Sequence, residues 1–338
     1  MKILFIGPKS GNSYLTYITL KKIYKEVDLI NTEKSLLGIS FFLKIFIHIS
    51  SIIFDKYFFH FILKKVSKNY DLIYVRAGEV IGNSLILELK KRTKKIIFFC
   101  NDNPFVKRDK RKWDLFKESS KLYDLIIFQD ESRIRLSKKY GLENTYLVYP
   151  PYDKKIHNFS KNNNIKKKYD IVFVGTWSPK KSKLLKNLIL SGINLKIFGT
   201  RWHKDHNFEI IKPNYIPGHL SFKNYSKIIY KSKIALCLFS EENKDTITAR
   251  SMEIPAIGTL MISMRTKAMK RVFKENKEAV YFSNYKECLR KCIFFLSNSK
   301  LRNAISKKAK IKITKNLKVS NDDLVKQIIN QAFKYNED

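Results

Sequence analysis

Acidic residues are scarce in this chain: 30 Asp and Glu stand against 67 Lys and Arg over 338 residues, a formal net charge of +37. Lysine travels here with many Ile and Asn, so one reading is a solvated, lysine-rich surface. The other is an anionic partner: nucleic acid, anionic lipid headgroups, or nucleotide-linked substrates drawn in electrostatically. No zinc-finger, helix-turn-helix or RNA-recognition signature occurs, so no nucleic acid is expected. Cysteine is also rare. Cys100, Cys237, Cys288 and Cys292 are the only four, and no second Cys or His pair completes a zinc set with Cys288 and Cys292. They read as reduced structural thiols of a cytosolic protein. The 11 glycines nowhere form G-x-G-x-x-G, which excludes a dinucleotide fingerprint. Only four apolar residues follow Met1-Lys2 before Gly7-Pro8, so no signal peptide is expected.

Long apolar runs are lacking too, with one exception. Leu36–Phe54 is broken only by Lys44, His48 and a few Ser, and a spanning helix needs about 20 predominantly apolar residues. A span here would sever the first strand from the sheet it must join. Two readings of 36–66 therefore stand: a core helix pair, or an aromatic, basic surface resting on a membrane. The protein is expected to be cytoplasmic, peripheral at the inner face of the membrane if the second reading holds.

What is present is a repeated alternation of strand and helix. The 44% hydrophobic content supplies two cores, and the length suggests two domains. Strands are expected at Lys2–Ile6, Asp71–Val75, Lys95–Cys100, Leu125–Gln129 and Thr145–Val148, with a helix at Glu131–Tyr140 ended by Gly141. Tyr149-Pro150-Pro151-Tyr152-Asp153 and the polar run after it read as a linker. The pattern restarts with strands at Tyr169–Val174, Asn194–Phe198, Ile234–Phe239, Thr259–Ser263 and Val280–Phe282. The expected organisation is an N-terminal Rossmann-like domain over 1–152 and a linker over 153–168. A C-terminal Rossmann-like domain over 169–318 and a final helix over 319–338, packing back on the first domain, complete it. The class is α/β, two Rossmann-like α/β/α domains facing each other across a cleft.

Residues 233–263 carry the densest polar chemistry. A buried strand leads through a polar loop to a compact helix, expected to stop at Ile254 because Pro255 disfavours helix before it. Asp245, Thr246, Thr248, Arg250 and Glu253 crowd its start, at the strand edge where open α/β sheets bind ligands. Two further loops end at the same edge. Gly175-Thr176-Trp177 offers backbone amides free of Cβ crowding at Gly175, followed by an ammonium from Lys180 or Lys181. Gly199 to Trp202 offers the Arg201 guanidinium and an aromatic face. A helix start favours phosphate, and Arg250 shares a helix face with Glu253. Together the loops suit a diphosphate, on Lys181, Arg250 and helix amides, and a ribose on Glu253. In the first half, Asp102 lies in Asn101-Asp102-Asn103-Pro104, extended at a strand end. That run is either a cleft-facing site or an Asx-turn cap. It is no Asp-x-Asp pair, so no metal site is expected.

Asn-Asp-Asn-Pro-Phe at 101–105, Tyr-Pro-Pro-Tyr-Asp-Lys-Lys-Ile-His at 149–157, Val-Gly-Thr-Trp-Ser-Pro-Lys-Lys at 174–181 and Asp-Thr-Ile-Thr-Ala-Arg-Ser-Met-Glu-Ile-Pro-Ala at 245–256 give the chain a resemblance. It resembles GT-B fold glycosyltransferases of the CgeB/YkvP-like spore-maturation group, and more distantly glycosyltransferase family 4. Asp245 and Glu253 have the spacing of that family's Glu-x7-Glu signature, with Asp in the first place. The resemblance implies that Glu253 binds the nucleotide ribose, that Asp245 lies by the donor sugar, and that Lys181 meets phosphate. Thr176 stands where the family has an Arg, so Arg250 or Arg201 is expected to supply that charge. Asp102 and Asp245 are the catalytic candidates. Gly175, Thr176, Trp177, Lys180, Lys181, Gly199, Arg201, Thr248, Arg250, Ser251 and Glu253 are the donor-binding candidates.

The implied reaction is metal-independent, retaining transfer of a sugar from a UDP- or GDP-linked donor to a glycan, lipid-linked or other acceptor. Positive groups and helix amides would stabilise the departing diphosphate. No separate cofactor is expected, and an anionic membrane is a candidate contact. The alternatives are a non-catalytic nucleotide- or glycan-binding protein with a degenerate site, and a sugar-nucleotide epimerase.

Overall fold

The computed structural model describes residues 1–36, 48–159 and 166–334. Much of the apolar stretch 36–54, the middle of the expected linker and the last four residues therefore lie outside the described residues. The chain divides into two compact units. The first comprises Met1–Tyr149, Glu241–Asp245 and the C-terminal stretch from Asn321; the second comprises Pro150–Ser240 and Thr246–Ser320.

The first unit is built on six parallel strands: β1 (Lys2–Gly7), β2 (Glu26–Asn31), β3 (Tyr70–Val75), β4 (Thr93–Cys100), β5 (Leu125–Phe128) and β6 (Thr145–Leu147), in the order β2-β1-β3-β4-β5-β6. Leu72, Ile73, Tyr74 and Val75 are wholly buried, as expected of a parallel sheet covered on both faces. Each such side chain contributes about 1.5–3 kcal/mol. The edge strand β2 was not signalled by the sequence. Only Val27 and Ile30 of it are buried, so it lacks the continuous apolar run of its neighbours. One face of the sheet packs against the helix Asn321–Lys334 through Leu324, Val325, Ile328 and Ile329. Among the described residues no helix is long and apolar enough to cross a membrane.

The second unit carries β7 (Tyr169–Val174), β8 (Leu195–Gly199), β9 (Tyr215–Pro217), β10 (Ser232–Cys237), β11 (Leu260–Met264) and β12 (Val280–Phe282). They are parallel throughout, in the order β12-β11-β10-β7-β8-β9. Counted from β7, this is the doubly wound order 3-2-1-4-5-6 read from the β9 edge. Its two faces are filled by separate clusters, one around Met252, Met269 and Phe273, the other around Leu185, Leu195, Trp202 and Cys292. All four cysteines are buried and unbridged.

One boundary is corrected. The helix after β10 runs Ala249–Ile257 with Pro255 inside it, three residues beyond the expected stop. Met252 to Ile257 are all buried, so tertiary packing compensates for the hydrogen bond that proline forgoes. The helix ends instead at Gly258, whose left-handed φ of 91° closes it with N–H bonds to the Ile254 and Pro255 carbonyls.

Candidate functional site

In the second unit the connection order reverses between β7 and β10, and the crevice outside their carboxyl ends is where such sheets bind ligands. A helix follows each of these strands: Pro179–Leu190 after β7, and Ala249–Ile257 after β10. Proline at the first position suits the start of the former. Neither helix has an acidic residue in its first turn. The first instead has Lys180 and Lys181 there, and the second Arg250. A cation at a helix N-terminus opposes the helix dipole by about 0.3–1 kcal/mol. Three of them on two starts make a cationic edge that favours an anion, with Arg250 also engaged by Glu253. Exposed Arg201 adds to it from the end of β8, on a left-handed backbone with φ of 66°.

The glycines there serve close packing. A Cβ on Gly199, whose φ is +133°, would sit 2.2 Å from the Gly175 carbonyl oxygen. The ends of β7 and β8 thus meet backbone to backbone. The aromatic face expected from Trp202 is absent: Trp202 is fully buried and donates its indole N–H to the Gly175 carbonyl at 2.9 Å. Trp177 likewise gives its indole N–H to Asp205, at 3.0 Å. Thr176 is exposed, and its hydroxyl lies 3.4 Å from that of Thr200.

At the second helix start, Thr248 and Ser251 cap each other. The Thr248 N–H donates to Ser251 Oγ at 3.2 Å, and the Ser251 N–H to the Thr248 carbonyl at 2.9 Å. Ser251 is fully buried, so its hydroxyl is committed to the cap. Arg250 and Glu253 pair at 2.5 Å, and the guanidinium stacks 4.0 Å over the Tyr225 ring. Burial pushes the Glu253 carboxyl up, but Arg250 and His157 outweigh it and hold the group below its ordinary value.

His157 and Tyr225 were not anticipated as site residues. His157 is 2% exposed, accepts the Asp153 N–H on Nδ1 at 2.8 Å, and leaves Nε2 buried without a partner. Its ring meets that of Tyr225 edge-on, 6.3 Å between centroids. The Tyr225 hydroxyl lies beside Glu253 without a hydrogen bond of ordinary geometry. Burial lowers the His157 pKa, against the opposing pull of Glu253 and Asp153. His157 closes the Tyr-Pro-Pro-Tyr run that reads as linker, and only its place in the fold distinguishes it.

Asp245 and Asp102 both belong to the first unit. Asp245 was expected with the helix start of the second domain; its carboxylate instead pairs with the buried Arg133 at 2.8 Å. Burial raises the Asp245 pKa, and Arg133 opposes the rise. Asp102 pairs with Arg108 at 2.9 Å, and Arg108 also grips Asp109 through two bonds. Asn103 and Asn243 join the two segments: the Asn103 N–H donates to Asn243 Oδ1 and its amide to the Asn243 carbonyl, each at 3.1 Å. Asn243 then donates to Asp245 at 2.6 Å. Among the described residues no group of three or more His, Cys, Asp and Glu could hold a metal ion.

Residues 180–328 match the family model described as glycosyl transferase-like. That span takes in Lys180, Lys181, Arg201, Arg250 and Glu253. No curated protein sequence matches the chain. Among solved structures, the Anabaena protein HepE in complex with UDP is similar at 11% identity, with a TM-score of 0.66 over 98% of this chain and 99% of that one. Sucrose-phosphate synthase from Thermosynechococcus elongatus is similar at 10% identity, with a TM-score of 0.65 over 99% of both chains. The N-terminal domain of trehalose-6-phosphate phosphatase from Candida albicans reaches 0.69 at 13% identity, over 99% of this chain and 97% of that one. The fold is GT-B.

Proposed function

We propose that the chain is a glycosyltransferase that uses a nucleoside-diphosphate sugar. The observation that carries this is the gathering of cationic side chains at two helix starts at the switch point of the second unit, inside the span that matches the glycosyl transferase-like model. In the reaction the bond from the anomeric carbon to the diphosphate oxygen breaks, an acceptor hydroxyl forms the new bond, and its proton leaves. The diphosphate departs as an anion. Lys180, Lys181, Arg201 and Arg250, with backbone amides of the helix starts, are the groups proposed to stabilise it. Glu253, kept ionised by Arg250, can accept from the ribose hydroxyls. Asp102, whose side chain is 41% exposed, is the carboxylate proposed to take the acceptor proton. Asp245, held by Arg133, is proposed to meet the donor sugar.

UDP is the first donor base to test, since HepE was crystallised with UDP and with UDP-glucose. Stabilisation against heat by UDP but not GDP, followed by hydrolysis of one UDP-sugar, is the expected result. Failure of both diphosphates to bind would overturn the reading. One observation favours a second reading, a non-catalytic nucleotide binder: Glu253 and Arg250 satisfy each other, and Ser251 is spent on the cap. Tight UDP binding with no turnover of any donor would select it.

A lipid-linked acceptor fits the surface around the helix Asp55–Leu63. Ile49, Ile53 and Tyr57 are 52%, 56% and 43% exposed there, and Lys65 stands over the Phe61 ring. Apolar side chains beside lysines suit an anionic interface. Co-flotation with anionic vesicles, lost when Ile53 and Tyr57 are made polar, is expected.

A further inference from the structure

The first unit has its own switch point, between β1 and β3. Gly7 ends β1 there, Arg76 follows β3, and the helix Gly11–Ile23 starts just after. A Cβ on Gly7 would lie 2.8 Å from Arg76 Cβ and 2.9 Å from Ser13 Oγ. Only glycine lets these two side chains close around the strand end. Both are unsatisfied: Ser13 Oγ and Arg76 Nη1 are shielded from solvent and have no hydrogen-bond partner. Ser13 is itself 9% exposed.

Arg76 is half-buried. Its guanidinium rests 4.1 Å over the Phe99 ring. Two carboxylates lie near enough to act on its guanidinium, Glu79 and Asp102; each also pairs with another cation, and Glu79 Oε2 is left buried without a hydrogen-bond partner. Glu79 pairs with Lys112 at 3.5 Å and Asp102 with Arg108 at 2.9 Å. The Cys100 thiol, also nearby, is pushed up to about 12 by burial and is neutral. The helix start adds unpaired amides: Ser10 makes no side-chain cap, its hydroxyl going to Glu33 instead, and no acidic residue occupies the first turn. An orphan guanidinium Nη1, an orphan hydroxyl and a helix N-terminus bring together donors of the kind that bind phosphate.

We infer that Arg76, Ser13 and the start of the helix Gly11–Ile23 form a binding site for a phosphate group, separate from the diphosphate site of the second unit. The binding itself stands alone. That this phosphate belongs to the acceptor, making the acceptor a phosphorylated sugar or a lipid phosphate, rests on the glycosyltransferase reading.

The full chain is saturated with UDP to occupy the second unit, and inorganic phosphate is titrated while the thermal transition is followed. A further stabilisation is expected. Arg76→Met should weaken it by at least about tenfold and Ser13→Ala by about threefold to tenfold, with Arg76→Lys in between. UDP affinity, unchanged in all three, shows that the variants are folded. In a second arm the chain is mixed with phosphatidylcholine vesicles containing a polyprenyl phosphate. Arg76-dependent retention there assigns a lipid source, and phosphate binding without retention assigns a soluble phosphate ester; either upholds the site. Phosphate stabilisation that persists unchanged in Arg76→Met, or none in the parent chain, overturns it. If UDP fails to bind, the transferase reading falls while the phosphate titration still reports on Arg76.

Discussion

Arg250 and Glu253 lie one helical turn apart and form an ion pair of 2.5 Å, with the carboxylate side chain 4% exposed and the guanidinium 38% exposed over Tyr225. The pair fixes both groups before any ligand arrives. Glu253 is kept charged by its neighbours, and the guanidinium is held at the first turn of a helix whose dipole an anion would favour. Removing one partner leaves the other uncompensated, which costs about 3–5 kcal/mol for a fully buried pair. The partial exposure of Arg250 puts Glu253→Gln at or below the lower end. That variant should also lower UDP affinity by more than about tenfold. Calorimetry showing unchanged affinity would remove Glu253 from the ribose role.

Replacing Lys180 and Lys181 together by alanine separates binding from stability. Both sit where the helix dipole disfavours a cation, so the unfolding midpoint should change little. Turnover should fall by about tenfold or more, since each charge-assisted contact to a departing diphosphate is worth roughly 1.5–3 kcal/mol. Full activity in the double variant would move the phosphate contact to Arg201 and Arg250.

His157 gives a pH dependence with a definite sign. Its folded pKa lies below the ordinary value of 6.5 because burial disfavours the imidazolium. Below that pH the unfolded chain takes up a proton that the native ring resists, so stability falls as pH drops from about 6.5 towards the folded pKa. The slope is at most about 1.4 kcal/mol per pH unit. His157→Gln should flatten this limb in urea titrations run across the range. An identical slope in the variant would place the titration elsewhere.

Gly199→Ala should be severe. The left-handed φ costs about 1–2 kcal/mol, and the added Cβ would meet the Gly175 carbonyl at 2.2 Å, forcing β7 and β8 apart. Gly192→Ala is the control: its φ is +80°, but nothing lies within 4 Å of the added carbon. Urea midpoints should rank the two with Gly199→Ala far below; equal losses would refute the close-packing role.

Transfer is expected to survive EDTA, because four cationic side chains and two helix starts are available to stabilise the leaving group. Loss of activity that magnesium restores would contradict this.

Much of this fold was legible because parallel strands buried on both faces are continuous apolar runs, as in Leu125–Phe128 and the Ile171 to Phe173 centre of β7. Edge strand β2 was not, since four of its six residues are exposed or part-exposed. Lys180, Lys181, Arg201 and Arg250 could be picked out because each follows the end of an apolar strand or opens a helix. Arg133 sits in a short helix with no mark of burial in its neighbours, and nothing local distinguishes it. Yet it is 3% exposed and holds Asp245.

The residue string by itself determined the doubly repeated strand–helix alternation and the cationic loops at strand ends, because hydrophobic period, turn residues and chain order are local properties. Only the tertiary structure decided that Asp245 pairs with Arg133, that Trp202 fills the core, and that Arg76 and Ser13 meet around Gly7 with Nη1 and Oγ lacking hydrogen-bond partners. Those outcomes depend on which side chains distant in sequence arrive within a few ångströms of one another, and on what burial leaves them to bond with.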